Sequence, residues 1–236
     1  MTAEPNSNNN LGGFSVNNWN LLREKLKDNL DYSDDWQTAM NWFKNRLNER
    51  YFNPMAEITP RITGVGFTIM SILCIIIEHM ASMTKGKIHD QEVNGDNPIP
   101  SYKYKISSQH FKEFLIESPI FLEYFGLGEK SEFTAVDFYK NVRCALLHEA
   151  CTKNNWRINT KSCGYVNPDD KIFITEENGI KRIYRDLLET KIREFVDSYL
   201  IELKTNYKMR LYFARKMDSL CEIEPEPEIY EWWKDE

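Results

Sequence analysis

Apolar side chains recur every three or four residues along most of this chain, which is the spacing of one face of an α-helix. The pattern predicts a short helix from Trp19 to about Leu30 and a longer one from Asp34 to about Arg50. Further helices are expected at 65–83, 107–116, 134–152, 179–204 and 207–220. The fold class predicted from this pattern is therefore mainly α.

The spacing of apolar residues along the chain changes between residues 156 and 175. The segments WRINT (156–160) and KIFIT (171–175) alternate apolar and polar residues, as strands do when one face is buried. Between them, NPDD (167–170) supplies residues that favour turns. We therefore expect a small β-hairpin, inserted into the helical bundle around residues 156–175.

The most apolar helix is expected to lie inside the protein. The run VGFTIMSILCIII is about thirteen residues long, which is short of the ~18–20 residues needed to span a bilayer. A helix that is apolar on nearly all sides is typical of the centre of a bundle. Glu78 follows this run, and a charge there needs a partner. We expect a structural ion pair at Glu78, or a position in the same cleft as a functional histidine, and no membrane span.

The two ends of the chain differ from its middle. Residues 1–16 are rich in Asn, Gly and Ser, which predicts a disordered N-terminal segment. Residues 17–220 are expected to form a single helical domain, and residues 221–236 an acidic tail that contains Trp232 and Trp233. These tryptophans are expected to dock on the body, on a twin subunit or on a partner, or to belong to a disordered end.

Composition limits the compartment and the chemistry. The chain has 236 residues, 42% of them hydrophobic, so it can bury a sizeable core. Its first residues lack the basic flank and the apolar stretch of a secretion signal. Five cysteines without a C-x-x-C pair indicate reduced thiols, so a cytoplasmic protein is expected. Because no Walker loop, G-x-G-x-x-G or H-E-x-x-H motif occurs, we expect no cofactor and no metal.

Basic residues are concentrated in one part of an acidic chain. Residues 181–216 carry a local charge of +5, although the whole chain has a net charge of −6. Lys204, Lys208 and Arg215 are candidate RNA-binding residues, which would follow a phosphate backbone along the last helices. The alternative is that these helices simply present charged faces to solvent.

The helix predicted at 134–152 carries a cation and a titratable imidazole, Arg143 and His148. On a regular α-helix five positions separate two side chains by about 140°, so both flank one broad face. Both can reach a ligand lying across that face, or a groove formed with a second copy of the helix. The helix C-terminus favours a charged imidazole and Arg143 opposes it, a balance that suits general acid–base chemistry.

The segment R-C-A-L-L-H, residues 143–148, resembles the R-x4–6-H motif of HEPN domains. The order of elements is also similar over about residues 34–220: a long first helix, a very apolar second helix ending in Ile77-Glu78, and then the helix with the motif. The resemblance implies a HEPN-like bundle and a metal-independent endoribonuclease, with a toxin or phage-defence role. It also implies a homodimer with RNA as substrate, and an antitoxin or another protein as partner.

The resemblance also assigns roles to individual residues. His148 would assist attack by the ribose 2′-hydroxyl or protonate the leaving 5′-oxygen, and Arg143 would hold the phosphate. The candidate supporting residues are Glu78, Tyr139, Cys144 and Glu149. Cys144 stands where active members often have Asn, and a thiol is a weaker hydrogen-bonding group. Cys144 and the negative charge of Glu149 favour the alternative, a catalytically inactive module for protein binding, nucleotide binding or dimerisation.

Overall fold

The computed structural model describes residues 10–60, 64–90, 99–126, 133–161 and 172–234. Most of these residues are helical and the strands form two small sheets, so the predicted mainly α class is confirmed. The chain forms two compact units. Unit 1 comprises Met1–Glu57, Ser82–Lys105 and Val196–Glu236, and unit 2 comprises Ile58–Ala81 and Ile106–Phe195.

Unit 1 is built from helices near both ends of the chain. Its described helices are α1 (Val16–Leu26), α2 (Asp34–Leu47), α3 (Asn53–Ile58, in part), α10 (Tyr207–Leu220) and the last turns of α9 (Arg185–Glu202). A π-helical segment, Asn48–Phe52, follows α2. Strands β1 (Ile88–His89) and β2 (Lys103–Tyr104) pair in parallel. Buried aromatic rings fill the core, with Phe43 in edge-to-face contact with Tyr199 and Phe213.

The C-terminal segment packs on α1 and α10 within unit 1. Trp232 and Trp233 are buried and lie in the short 3₁₀ helix Glu231–Trp233. Both indole Nε1 atoms donate to Asp218 Oδ2 at 2.8 Å, and Trp19 Nε1 donates to Asp218 Oδ1 at 2.7 Å. Of the outcomes expected for the two tryptophans, docking on the body is the one that the structure shows.

At the other end, residues 1–9 lie outside the described residues. Helix α1 begins at Val16 with Ser15 as its N-cap, and the side chain of Ser15 accepts a hydrogen bond from the backbone N–H of Asn18. Phe14 is buried and stacks on Trp42 with 5.5 Å between ring centroids. The expected disorder over residues 1–16 is therefore not met at residues 14–16, because an apolar side chain fixes the chain before α1.

Unit 2 combines helices with a three-stranded sheet. Its described helices are α4 (Gly66–Lys85, in part), α5 (Ser107–Glu117), α6 (Leu122–Phe125), α7 (Ala135–Phe138), α8 (Ala145–Glu149) and the start of α9. The π-helical segment Tyr139–Cys144 joins α7 to α8, so residues 135–149 form one continuous helical stretch. Phe138 is fully buried in unit 2, in edge-to-face contact with Phe125 and Trp156.

The sheet differs from the predicted hairpin. Strands β3 (Trp156–Asn159), β4 (Ile174–Glu177) and β5 (Ile180–Tyr184) occur in the order β3-β5-β4. β3 pairs in parallel with β5, so β3 and β4 are not hairpin partners, and the NPDD segment lies outside the described residues. The hairpin in the structure joins β4 to β5 through Asn178 and Gly179, both of which have positive φ.

That hairpin also shortens the predicted helix at 179–204. An Asn-Gly pair readily adopts the positive φ values that a two-residue hairpin turn requires. The residues after Gly179 therefore continue as β5, and the helix begins only at Arg185. The apolar spacing of IKRIY fits a helix as well as a strand, which explains the error.

Helix α4 is longer than the apolar run that predicted it. In the described part of the chain, this 20-residue helix alone is long and apolar enough to cross a membrane by length and composition. Its most apolar 18-residue window is 56% buried within the protein. Because the core helix of a soluble protein passes the same test, α4 is weak evidence for a membrane span.

Candidate active site

Arg143 is held in place by an acid on another helix of unit 2. Its Nη2 donates to Glu78 Oε2 at 2.7 Å, and the two side chains are 16% and 23% exposed. The guanidinium carbon also lies 5.3 Å from the centroid of the Tyr139 ring. Burial is the largest single effect and lowers the pKa of Arg143, but the hydrogen bond and charge of Glu78, with smaller effects of Tyr139 and Cys144, together raise it. The ion pair expected at Glu78 is therefore formed with Arg143.

The other groups around Arg143 are uncharged. Burial raises the pKa of the Cys74 thiol to about 12, so this thiol, one turn before Glu78 on α4, is neutral at physiological pH. Burial also raises the pKa of Tyr139, and the neighbouring side chain of Cys144 adds to the rise. Tyr139 packs edge-to-face on Phe111 with 5.4 Å between centroids. The Tyr139 ring and the Cys144 side chain thus lie beside the Arg143 guanidinium.

His148 is exposed in the last turn of α8. Ala150 follows in the left-handed conformation, with φ of 52°, and ends the helix. In the described ranges, the imidazole has no hydrogen-bond or ion-pair partner. Leu147 beside it is 44% exposed. The structure therefore presents the His148 ring to solvent, next to an exposed apolar side chain.

Glu149 does not join Arg143 and Glu78. Its carboxylate forms an ion pair with Lys153, four residues further along the chain. Both side chains are about half exposed, so the pair is weak. The negative charge of Glu149 is nevertheless balanced locally, which reduces the repulsion that we expected against an approaching phosphate.

The helix that carries Arg143 and His148 is not regularly α-helical between these two residues. Arg143 lies in the π-helical segment Tyr139–Cys144, and His148 lies in the α-helical turn that follows. A π-helical turn holds more residues than an α-helical turn and often occurs at functional sites. The spacing of the motif along the sequence therefore does not translate directly into an angle.

Asp137 anchors this helical stretch to the sheet. Its carboxylate accepts hydrogen bonds from Asn141 at 2.7 Å and from Asn154 and Trp156 at 2.8 Å, and it pairs with Lys181 at 2.5 Å. Burial opposes the negative charge, but the bonds from Lys181, Asn154 and Trp156 prevail and lower the pKa of Asp137. Asp137 was not among the predicted site residues. The available signal was the pattern T-A-V-D at 134–137, a serine/threonine–acid capping motif that places Asp137 in the first turn of the helix.

Of the three candidate RNA-binding residues on the last helices, two are exposed and one is buried. Lys204 and Lys208 are exposed, and both belong to unit 1. Arg215 is buried, with its Nε donating to the carbonyl of Trp232 at 2.5 Å and its Nη1 to that of Gly86 at 3.4 Å. Since its donors serve backbone carbonyls, Arg215 stabilises the docked tail and cannot contact RNA.

Within the described ranges, no group of three His, Cys, Asp or Glu residues has a geometry that could hold a metal ion. The groups that the described structure offers for chemistry near Arg143 are its positioned guanidinium and the exposed imidazole of His148. Comparisons of the chain with protein-family models, with curated proteins and with solved structures found no match.

Proposed function

We propose that this chain is a HEPN-like, metal-independent endoribonuclease with His148 and Arg143 as its catalytic residues, acting in toxin or phage defence. The observation that carries the proposal is the exposed His148 imidazole in the turn after a guanidinium that Glu78 and Tyr139 hold in place. An imidazole takes up and releases protons near neutral pH. A fixed guanidinium stabilises negative charge on phosphate oxygens.

The reaction needs both groups at one phosphodiester. A neutral imidazole accepts the proton of the ribose 2′-hydroxyl while that oxygen attacks phosphorus. The bond from phosphorus to the 5′-oxygen breaks, and an imidazolium gives this oxygen its proton. The products are a 2′,3′-cyclic phosphate and a 5′-hydroxyl. The hydrogen bond to Glu78 uses Nη2 of Arg143, so the guanidinium keeps further N–H groups for the phosphate oxygens.

A second copy of the chain supplies the second imidazole. One His148 can serve as base, and its equivalent across a twofold axis can serve as acid. Leu147, exposed beside His148, provides apolar surface for such a contact. We expect Leu147→Glu to convert a dimer into monomers and to lower cleavage. Ile201→Glu, at an exposed position in unit 1, is the matched control and should change neither.

Cleavage of RNA in the presence of EDTA tests the proposed chemistry. His148→Ala should lower the rate by about 10²–10⁴-fold, since that is the usual contribution of a general acid or base. Arg143→Ala should lower it by about 10²–10³-fold. His89→Ala removes an exposed histidine of unit 1 and should leave the rate unchanged. Equal cleavage by wild type and His148→Ala, with circular dichroism showing both folded, would refute the assignment.

A second candidate function is a catalytically inactive HEPN-like module that binds a protein or a nucleotide. The Arg143–Glu78 ion pair favours it, because the carboxylate at 2.7 Å competes with a phosphate for the guanidinium. This module would form dimers and cleave no RNA. Expression in a bacterial host separates the two functions. Growth arrest that His148→Ala relieves supports the nuclease, and harmless expression of folded dimer supports the binding module.

A further inference from the structure

Arg185, the first residue of α9, is a buried cation whose guanidinium has no hydrogen-bond partner among the described residues. It is 4% exposed, and its Nη1 is fully buried and makes no hydrogen bond. No other hydrogen bond or ion pair of its guanidinium occurs in the part of the chain that the structure describes. Two other buried arginines have partners: Arg23 pairs with Asp218 at 3.0 Å, although its Nε makes no hydrogen bond, and Arg210 donates to Leu203 O at 2.9 Å.

The acids closest to Arg185 in sequence serve other groups. The carboxylate of Asp186 accepts the backbone N–H of Lys161 at 3.1 and 3.2 Å, and Glu189 pairs with Arg193 at 2.7 Å. Burial lowers the pKa of Arg185, but an arginine in a protein stays protonated. A buried charge without a counter-ion is costly. Asp186 and Glu189 thus act on Arg185 only through their charges, and neither gives its guanidinium a hydrogen-bonded counter-ion.

Two further kinds of donor belong to backbone positions next to Arg185. Asn159 pairs in register with Tyr184, so the parallel strands β3 and β5 end side by side, and Arg185 directly follows Tyr184. The side-chain Nδ2 of Asn159 is also buried without a hydrogen-bond partner. The first backbone N–H groups of the 18-residue helix α9 begin at the same place. Helix N-termini at the carboxyl ends of parallel strands are favourable sites for phosphate.

We propose that this end of the sheet binds the terminal phosphate of a small phosphate monoester. The planar fork of the guanidinium matches two phosphate oxygens, and the Asn159 amide and the α9 N-terminus supply additional donors. Because Arg185 is so little exposed, it admits a terminal phosphate more easily than a phosphodiester flanked by two riboses. This site does not rest on the proposed nuclease activity, and His148→Ala should leave it intact.

Thermal unfolding of the full chain with four additives at equal ionic strength tests the site. Inorganic phosphate and adenosine 5′-monophosphate should raise the Tm above its value in chloride, because a ligand that binds only the folded state stabilises it. Acetate and an oligoribonucleotide with a 5′-hydroxyl should not. A wild-type Tm that phosphate and the monophosphate leave unchanged would overturn the proposal. Equal binding of the 5′-hydroxyl oligonucleotide would overturn the preference for a terminal phosphate.

Variants assign the effect to Arg185. Arg185→Gln should weaken phosphate binding at least about tenfold, since a charged hydrogen bond is lost. Its Tm without phosphate should equal or exceed that of wild type, because no protein partner is lost. Arg193→Gln, on the same helix, is the matched control and should retain binding. Asn159→Ala should weaken binding and provides a second variant if Arg185→Gln does not fold. Unchanged phosphate affinity in folded Arg185→Gln would refute the site.

Discussion

Replacing Asp218 with Asn tests whether one buried carboxylate holds the C-terminal segment on unit 1. Asp218 is completely buried and accepts hydrogen bonds from three indole groups, those of Trp19, Trp232 and Trp233, and from Arg23. Asn keeps the shape but replaces one acceptor oxygen with an NH₂ group that faces other donors. It also leaves the Arg23 guanidinium without its buried counter-charge.

The expected loss follows from these contacts. Removing one partner of a buried ion pair costs about 3–5 kcal/mol, and a buried donor left without an acceptor costs about 1–3 kcal/mol. Because Asn still offers one oxygen, we expect Asp218→Asn to lower the free energy of unfolding by about 4 kcal/mol. That is a large part of the total for a typical domain, about 5–15 kcal/mol. Urea unfolding followed by far-UV circular dichroism measures it.

Glu226→Gln is the matched control for this loss. Glu226 also pairs with Arg23, at 3.4 Å, but its side chain is 44% exposed. Solvent screens such a pair, so its removal should cost at most about 1 kcal/mol. If Asp218→Asn destabilised the protein no more than Glu226→Gln does, the carboxylate would not be what holds the tail.

Three further substitutions test other parts of the fold by urea unfolding. Burial lowers the pKa of Lys216 to about 8, against 10.5 for a free lysine. Between these two pH values the unfolded chain therefore binds more protons than the folded chain, and the free energy of unfolding should rise with pH. Lys216→Met should abolish this rise and add up to about 3 kcal/mol at pH 7; an unchanged pH profile would contradict it. Gly86→Ala should lower the free energy of unfolding by about 1–3 kcal/mol, because φ is 58° and the new Cβ would lie 2.6 Å from the Tyr212 ring. An unchanged free energy of unfolding would contradict this geometry. Asp137→Asn should cost about 2 kcal/mol through the loss of its bond from Lys181, whereas Asp197→Asn, at an exposed ion pair, should cost less than about 1 kcal/mol.

Helices could be predicted from this sequence, whereas strand pairing could not. The apolar spacing over 34–47, 66–85 and 207–220 reports a local property, the face of a helix that is buried, and these helices occur where the pattern places them. The pairing of β3 with β5 joins residues about 25 positions apart, and no local pattern specifies it. The Asn178-Gly179 turn was the available signal for the β4–β5 hairpin.

The candidate site could likewise be predicted from the sequence only in part. The charge of Glu78 at the end of an apolar helix called for a partner, and Arg143 supplies it from 65 residues away. The burial of Arg215 could not be foreseen, because it results from the docking of Trp232 over α10. Nor does the sequence distinguish Arg185 from its basic neighbours. Only the burial of its guanidinium, without a hydrogen-bond partner among the described residues, sets Arg185 apart.

The π-helical segment Tyr139–Cys144 makes the candidate site sensitive to deletions. Such a segment corresponds to one residue inserted into an α-helix. Deleting Lys140, which is exposed, should therefore restore a regular helix and leave residues 145–149 on the side that they face now. Only the segment that holds Arg143 would be rewound, so the guanidinium would move relative to Glu78 while the imidazole keeps its side of the helix. A related chain can therefore retain R-x4-H and lack the hydrogen bond that positions its arginine.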